Sequence, residues 1–201
     1  SVIVAGYRRV YRSTDRGNSW IDISGELANG ALIDLLALAP SNSDVVYAYN
    51  FNTIYKTNNA TAGEDASWTS VLTPTSGITS ISVHPNDENT IYLTRGGYNE
   101  GSKVFVSYDA GENWENISGS LPNVPANVIK PLADDNYDGA LFVGTDAGVF
   151  YLDNTLEDWE EYGDLPHTEV SDIEFQYDNQ LIRIGTHGRS IFEAPLPLNE
   201  C

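Results

Sequence analysis

Four tryptophans, at positions 20, 68, 114 and 159, divide the chain at intervals of 48, 46 and 45 residues. A near-constant interval of that size is about the length of one four-stranded β-propeller blade. The segments between them repeat in order. Residues 32–72, 77–117 and 127–162 each give an apolar run, a polar turn, a second run, a hairpin and a third run. An Asp-rich turn, a Trp and a short fourth run follow. Runs of four to eight residues rich in Val, Ile, Tyr and Phe, bounded by Gly, Asn, Asp and Pro, predict strands. No stretch keeps a 3.6-residue apolar period, so no long helix is expected.

Labelled A to D from the propeller axis outward, the strands form blade units over about 1–24 (B to D), 31–72, 77–118, 127–162 and 170–196 (A to C). The expected fold is all-β: a β-propeller of four-stranded antiparallel blades, with about four and a half blades present. The preferred reading is the C-terminal part of a larger propeller; a small closed ring with extra strands is the alternative. The chain opens on "SVIVAG", which reads as a strand already under way, so Ser1 is expected to be a cut and the absence of a signal peptide carries no weight.

Two octets are nearly the same: "STDRGNSW" (13–20) and "SYDAGENW" (107–114). Asp15 and Asp109 can accept bonds from the turn's N–H groups, Gly17 and Gly111 permit positive φ, and Ser13 and Ser107 can close the loop. Trp20 and Trp114 would then pack between blades. The other copies are degraded: "KTNNATAGEDASW" carries an insertion and lacks the Ser, and "YLDNTLEDW" keeps Asp153 and Trp159 without the Gly. A structural role is expected for all four.

Ser-x-Asp-x-Gly-x-x-Trp resembles the Asp box, or bacterial neuraminidase repeat, of sialidases, xyloglucan-cleaving hydrolases, sortilin-like receptors and secreted bacterial propellers. The ending "LFVGTDAGVFYLDN" followed by "LIRIGTHGRSIFEAPL" is similar to the last blades of such secreted or cell-surface proteins. The resemblance implies that the boxes sit at C–D turns and that ligands meet the opposite face. Sialidases of this kind also carry an arginine triad, a Tyr–Glu pair and an Arg-Ile-Pro motif. The motif is absent here, and no triad can be assigned among the seven arginines.

The chain carries 29 acidic against 10 basic residues, a net charge of −19. Nucleic-acid binding through phosphates needs clustered Lys and Arg and is not expected. No apolar run reaches 18 residues, so no membrane span is expected. The single cysteine, Cys201, excludes an internal disulfide and a Cys-based metal site. No cofactor is expected, apart from Ca²⁺ at "ADDNYDG", where Asp134, Asp135 and Asp138 offer oxygen ligands without the full EF-hand pattern.

Propeller topology places A–B and C–D turns on one face and B–C and D–A loops on the other. Fifteen acids fall on the first face, Glu64, Asp65 and Asp158 among them, against Arg16 and Lys56. The second face holds Glu26, Glu100, Asp146 and Asp164 against Arg8, Arg9, Arg95, Lys103 and Arg189. Its longest excursion, "TRGGYNEGSK" (94–103), offers Arg95, Tyr98 and Asn99 to a sugar or an acidic group. Arg8, Arg9 and Arg189 complete the ligand-binding candidates.

His84 and His167 read as turn and loop residues, and His187 lacks an identifiable partner acid. Three functions stay open. One is a non-catalytic module binding glycan or protein. Another is a fragment of a glycoside hydrolase, with Glu100, Asp146 and Asp164 as candidate carboxylates. The last is a structural spacer in a surface adhesin or filament. The remaining blades or domains of a parent chain are expected partners in each.

Overall fold

The structure, a computed structural model, describes residues 3–25, 27, 32–71, 73–133, 139–165 and 167–197. Asp134, Asp135 and Asp138, the Ca²⁺ candidates, lie outside the described residues, as do Glu26 and Cys201. Among the described residues there are eighteen strands in five antiparallel sheets of three, four, four, four and three strands, each sheet in plain up-and-down order. The first holds β1 (Ile3–Gly6), β2 (Val10–Ser13) and β3 (Ile21–Asp22), and the second β4 (Leu35–Leu38), β5 (Val46–Asn50), β6 (Thr53–Thr57) and β7 (Thr69–Val71). The third holds β8 (Ile78–His84), β9 (Asp87–Arg95), β10 (Val104–Ser107) and β11 (Glu115–Asn116). The fourth holds β12 (Ala126–Pro131), β13 (Leu141–Thr145), β14 (Gly148–Leu152) and β15 (Glu160–Glu161), and the fifth β16 (Val170–Gln176), β17 (Leu181–Thr186) and β18 (Ile191–Pro195).

Strand composition follows position in the sheet. The second strands β5 and β13 are buried almost throughout, because both of their faces are covered, and they open on the runs Val-Tyr-Ala-Tyr and Leu-Phe-Val. The outermost strands β11 and β15 are exposed and read Glu-Asn and Glu-Glu. Helical structure among the described residues is confined to short 3₁₀ turns, including Ala60–Asp65 and Tyr177–Asn179. No described helix is long and apolar enough to cross a membrane.

The chain packs as two compact units, one of residues 1–77, 83–91 and 107–114 and one of residues 78–82, 92–106 and 115–201. In the first, Val10, Ile23, Leu27, Ile33, Val46 and Ala48 form a core that Ala60 and Ala66 of the second C–D connection close from outside. In the second, Phe142, Val149, Val170, Ile173, Ile182 and Ile184 form one core, and Val104, Val106, Ile129, Val143 and Trp159 another. Fully burying each such aliphatic side chain contributes about 1.5–3 kcal/mol.

Candidate ligand-binding sites

The two octets adopt one geometry. The Ser13 hydroxyl donates to Asp15 Oδ1 (2.9 Å) and accepts the Gly17 N–H (2.8 Å), while Asp15 accepts the Ser19 N–H (2.8 Å) and hydroxyl (2.7 Å). Ser107 and Asp109 repeat this with Gly111 and Asn113, at 2.7–2.8 Å. The central residues are left-handed in both turns, Arg16 (φ 62°) with Gly17 (φ 86°) and Ala110 (φ 61°) with Gly111 (φ 95°). Two consecutive left-handed residues, the second a glycine, reverse the chain within the seven-residue connection between the strands. The Ala110 N–H donates to Asn89 O (2.7 Å), which ties the C–D turn to the start of β9 in the same sheet.

Hydrogen bonds to Ser19, then Ser13, hold the exposed Asp15 carboxyl at about 2, below its ordinary 3.8. Because the folded value is depressed, the stabilisation is complete above pH 3.8 and is lost as pH falls toward 2. An NMR titration of Asp15 should therefore show its midpoint near 2 in the folded protein. A midpoint at the ordinary value would mean that the turn's hydrogen bonds do not persist in solution.

The degraded copies depart from expectation. In the second, Thr57 and Asn59 take over from Ser and Asp. Thr57 Oγ1 donates to Asn59 Oδ1 (2.9 Å), which also accepts the Ser67 N–H (2.9 Å). The inserted 3₁₀ turn is looped out between these partners. The Trp68 indole donates to Ile23 O (2.7 Å) on the preceding sheet, and Trp159 does the same to Ile117 O (2.7 Å). Trp20 does not pack between blades as the octet suggested. It is 43% exposed, its ring lies by Gly17, and its N–H donates to Gly17 O (3.1 Å).

The structure also lengthens the repeat. Ser24 and Ser118 follow the two octets within a shared Ile-Ser-Gly-x-Leu continuation (23–27 and 117–121). Ser24 Oγ accepts the Val10 N–H (2.7 Å), and Ser118 Oγ accepts the N–H groups of Lys103 (2.7 Å) and Val104 (3.0 Å). Each serine thus fastens a D–A loop to the start of strand C.

On the loop face, residues 95–103 are braced from within. The Arg95 N–H donates to Lys103 O (2.8 Å), the Arg95 guanidinium to Ser102 Oγ (3.0 Å), and Asn116 Nδ2 to Gly101 O (2.7 Å). Lys103 is not an exposed loop cation. It is 1% exposed, and its ammonium donates to Gly97 O (2.7 Å). Burial first, then the Arg95 charge, lower its pKa. None of the ion pairs among the described residues involves either cation. Tyr98 stands 72% exposed at the tip, with Asn99 and Glu100 exposed beside it.

Other candidates are scattered. Arg8 lies over the Tyr7 ring (5.7 Å), Arg9 pairs with Asp22, and Arg189 is exposed between β17 and β18. Asp146 is half-buried and accepts Asn127 Nδ2 (2.9 Å), whereas Asp164 is exposed. No described contact joins Glu100, Asp146 and Asp164. His84 Nδ1 accepts the Asn86 N–H (3.2 Å), and His167 Nδ1 lies 2.9 Å from Ala147 O. Among the described residues, no three His, Cys, Asp or Glu side chains are placed to share a metal ion.

A further concavity of the first unit lies elsewhere, on the outer edge. A cavity of about 460 Å³ is lined by Gly25, Leu27, Tyr55, Glu64, Asp65, Ala66, Ser67 and Trp68. A second, of about 300 Å³, shares Gly25 and Glu64 and adds Arg9 and Asp22. Sequence topology assigns Glu64 to the C–D turn face, yet it lines both cavities together with Gly25 of a D–A loop. Likewise Asp158 accepts the Ser120 N–H (3.0 Å). The cause is the brevity of the outer strands: β3 and β15 have two residues each, about 7 Å of rise. At the rim, the two faces are therefore within side-chain reach. The length and acidity of the insertion were the signals for this cavity.

Antiparallel four-stranded sheets repeating every 45–48 residues, stapled by such turns, define a β-propeller. Solved structures agree at the level of fold. An ancestral GH74 enzyme is 20% identical, with a TM-score of 0.65 over 92% of this chain and 26% of its own. A GH74 enzyme of Niastella koreensis is 12% identical, with a TM-score of 0.59 over 91% of this chain and 32% of its own. The computationally designed Ika4 protein is 13% identical, with a TM-score of 0.59 over 83% of this chain and 92% of its own. The chain thus spans about a quarter to a third of the two GH74 enzymes. No protein-family model matches the sequence, and no curated protein matches it.

Proposed function

We propose that the chain is a non-catalytic propeller module of a secreted or cell-surface protein, binding a glycan or protein ligand through its B–C and D–A loops. The observation that carries this reading is the 95–103 loop, with Tyr98 held 72% exposed above a buried lysine. A large aromatic kept in solvent by a braced loop contributes contact area at small ordering cost. Arg95 supplies donors for sugar hydroxyls or an acidic group. The bonding within 13–20 and 107–114 supports reading them as Asp boxes, and with them the kinship to sortilin-like and neuraminidase-repeat propellers. Glycan-array and pull-down screens should find a ligand whose affinity falls at least about tenfold in Tyr98→Ala, with the melting temperature unchanged. A ligand bound equally well by Tyr98→Ala would remove this loop from the site.

Similarity to two GH74 enzymes favours a second reading, a piece of a glycoside hydrolase. Asp146, fixed by Asn127, is then the carboxylate to test. Turnover of xyloglucan or fluorogenic sialosides, abolished by Asp146→Asn, would support it.

A further inference from the structure

We infer that the outer-edge cavity beside the 60–65 turn is a binding site for a small organic cation, one carrying a primary ammonium on a carbon framework. It stands apart from the 95–103 loop and does not depend on the reading given to that loop.

The cavity is built in advance of any ligand. The Ala60 N–H donates to Asp44 O (3.1 Å) and the Thr61 N–H to Asp44 Oδ1 (2.7 Å), which pins the start of the insertion. The Ala66 N–H donates to Gly63 O (3.0 Å) and the Ser67 N–H to Asn59 Oδ1 (2.9 Å), which pins its end. Ala60 is fully buried beneath it. The Trp68 ring is fixed by its bond to Ile23 O (2.7 Å), and β6 sets Tyr55 in the same wall. Gly25 keeps the floor open: a Cβ there would lie 2.7 Å from Ala66 O, and its φ is 52°.

The charges select the ligand. Asp22, in the adjoining cavity, is neutralised by Arg9. Glu64 and Asp65, in the main cavity, form no ion pair among the described residues, and the Tyr55 hydroxyl has no hydrogen-bond partner there. Both carboxylates are solvent-exposed, so a neutral ligand would gain nothing from their charge, and an anion would be repelled by them and by the chain's net charge of −19. An ammonium can bond a carboxylate while its framework lies against Tyr55, Trp68 and Leu27, with a cation–π contribution from the rings. A volume of about 460 Å³ is far larger than a metal ion needs and suits an amino sugar or a lysyl side chain.

The test uses two probe pairs that differ only in the amine: a glucosamine trisaccharide against its N-acetylated form, and a lysine-containing peptide against its acetyl-lysine form. Calorimetry and the Trp68 indole N–H resonance are the readouts. At least one amine probe should bind and shift Trp68, and acetylation should weaken it at least tenfold. The tighter of the two amine probes identifies the source as saccharide or polypeptide. Glu64→Gln and Asp65→Asn, singly and together, should weaken binding without moving the melting temperature, because neither carboxylate has an ion-pair partner to lose among the described residues. The proposal is overturned if no amine probe binds, if the acetylated probes bind equally well, or if the double variant binds as tightly as the parent. A folded Tyr98→Ala variant should keep this binding, which separates the site from the loop face.

Discussion

Phe142→Ala should destabilise the second unit by about 3–5 kcal/mol. Phe142 is fully buried near the start of β13. Its ring lies 4.9 Å from that of Tyr151, 5.0 Å from Tyr162 and 5.3 Å from Phe175, the last two edge-on. Truncation removes the transfer free energy of a phenyl ring and three aromatic contacts of about 0.5–1.5 kcal/mol each. The neighbours cannot easily collapse into the void. Two residues along, at Gly144, a Cβ would already lie 2.5 Å from Val170 and 2.6 Å from Val128, so the backbones there are pressed together. A urea melt should show the midpoint fall with little change in slope. A loss below about 1.5 kcal/mol would show that the cluster relaxes into the cavity instead of holding its shape.

That cluster shows which features were legible in the chain. The Trp interval and the apolar runs gave sheet order and strand identity, because a repeated unit writes its period into the sequence. The partners of Phe142 come from β14, from the loop after β15 and from β16. Their meeting is a matter of sheet packing, on which local periodicity is silent. The same holds at the candidate sites. Arg9 looked available to a ligand, and its partner Asp22 is visible only once β2 and β3 are paired.

The second copy of the box, at 56–68, looked broken because Thr57 and Asn59 replace Ser and Asp and because the insertion moves Trp68 away. Its chemistry survives, since a hydroxyl and an amide oxygen can make the same two bonds. Lys103 read as a surface cation from its type. Its long stem is instead packed under the loop, with the ammonium bound to Gly97 O. The outer cavity was illegible for a simpler reason. Sorting loops by face assumes that strands separate the faces, and outer strands of two residues do not.

Ser118→Ala should cost about 2–4 kcal/mol, more than Ser24→Ala at the equivalent place in the first unit. Each hydroxyl sits between a D–A loop and the start of strand C, but their duties differ. Ser24 Oγ accepts one N–H, from Val10. Ser118 Oγ accepts two, from Lys103 and Val104, and donates to Asn116 Oδ1 (2.6 Å). Ser118 is 2% exposed, so water cannot readily replace it. A buried N–H left without an acceptor costs about 1–3 kcal/mol, and Ser118→Ala orphans two. The loss also reaches the loop face, because the Lys103 N–H lies at the base of the 95–103 loop and the Lys103 ammonium supports Gly97. Amide hydrogen exchange in Ser118→Ala should therefore quicken at 95–103 before the sheet as a whole opens, and ligand affinity at Tyr98 should fall with it. Ser24→Ala should leave that loop's exchange unchanged. Equal losses in the two variants, with no local loosening at 95–103, would mean that the loop's rigidity has another source.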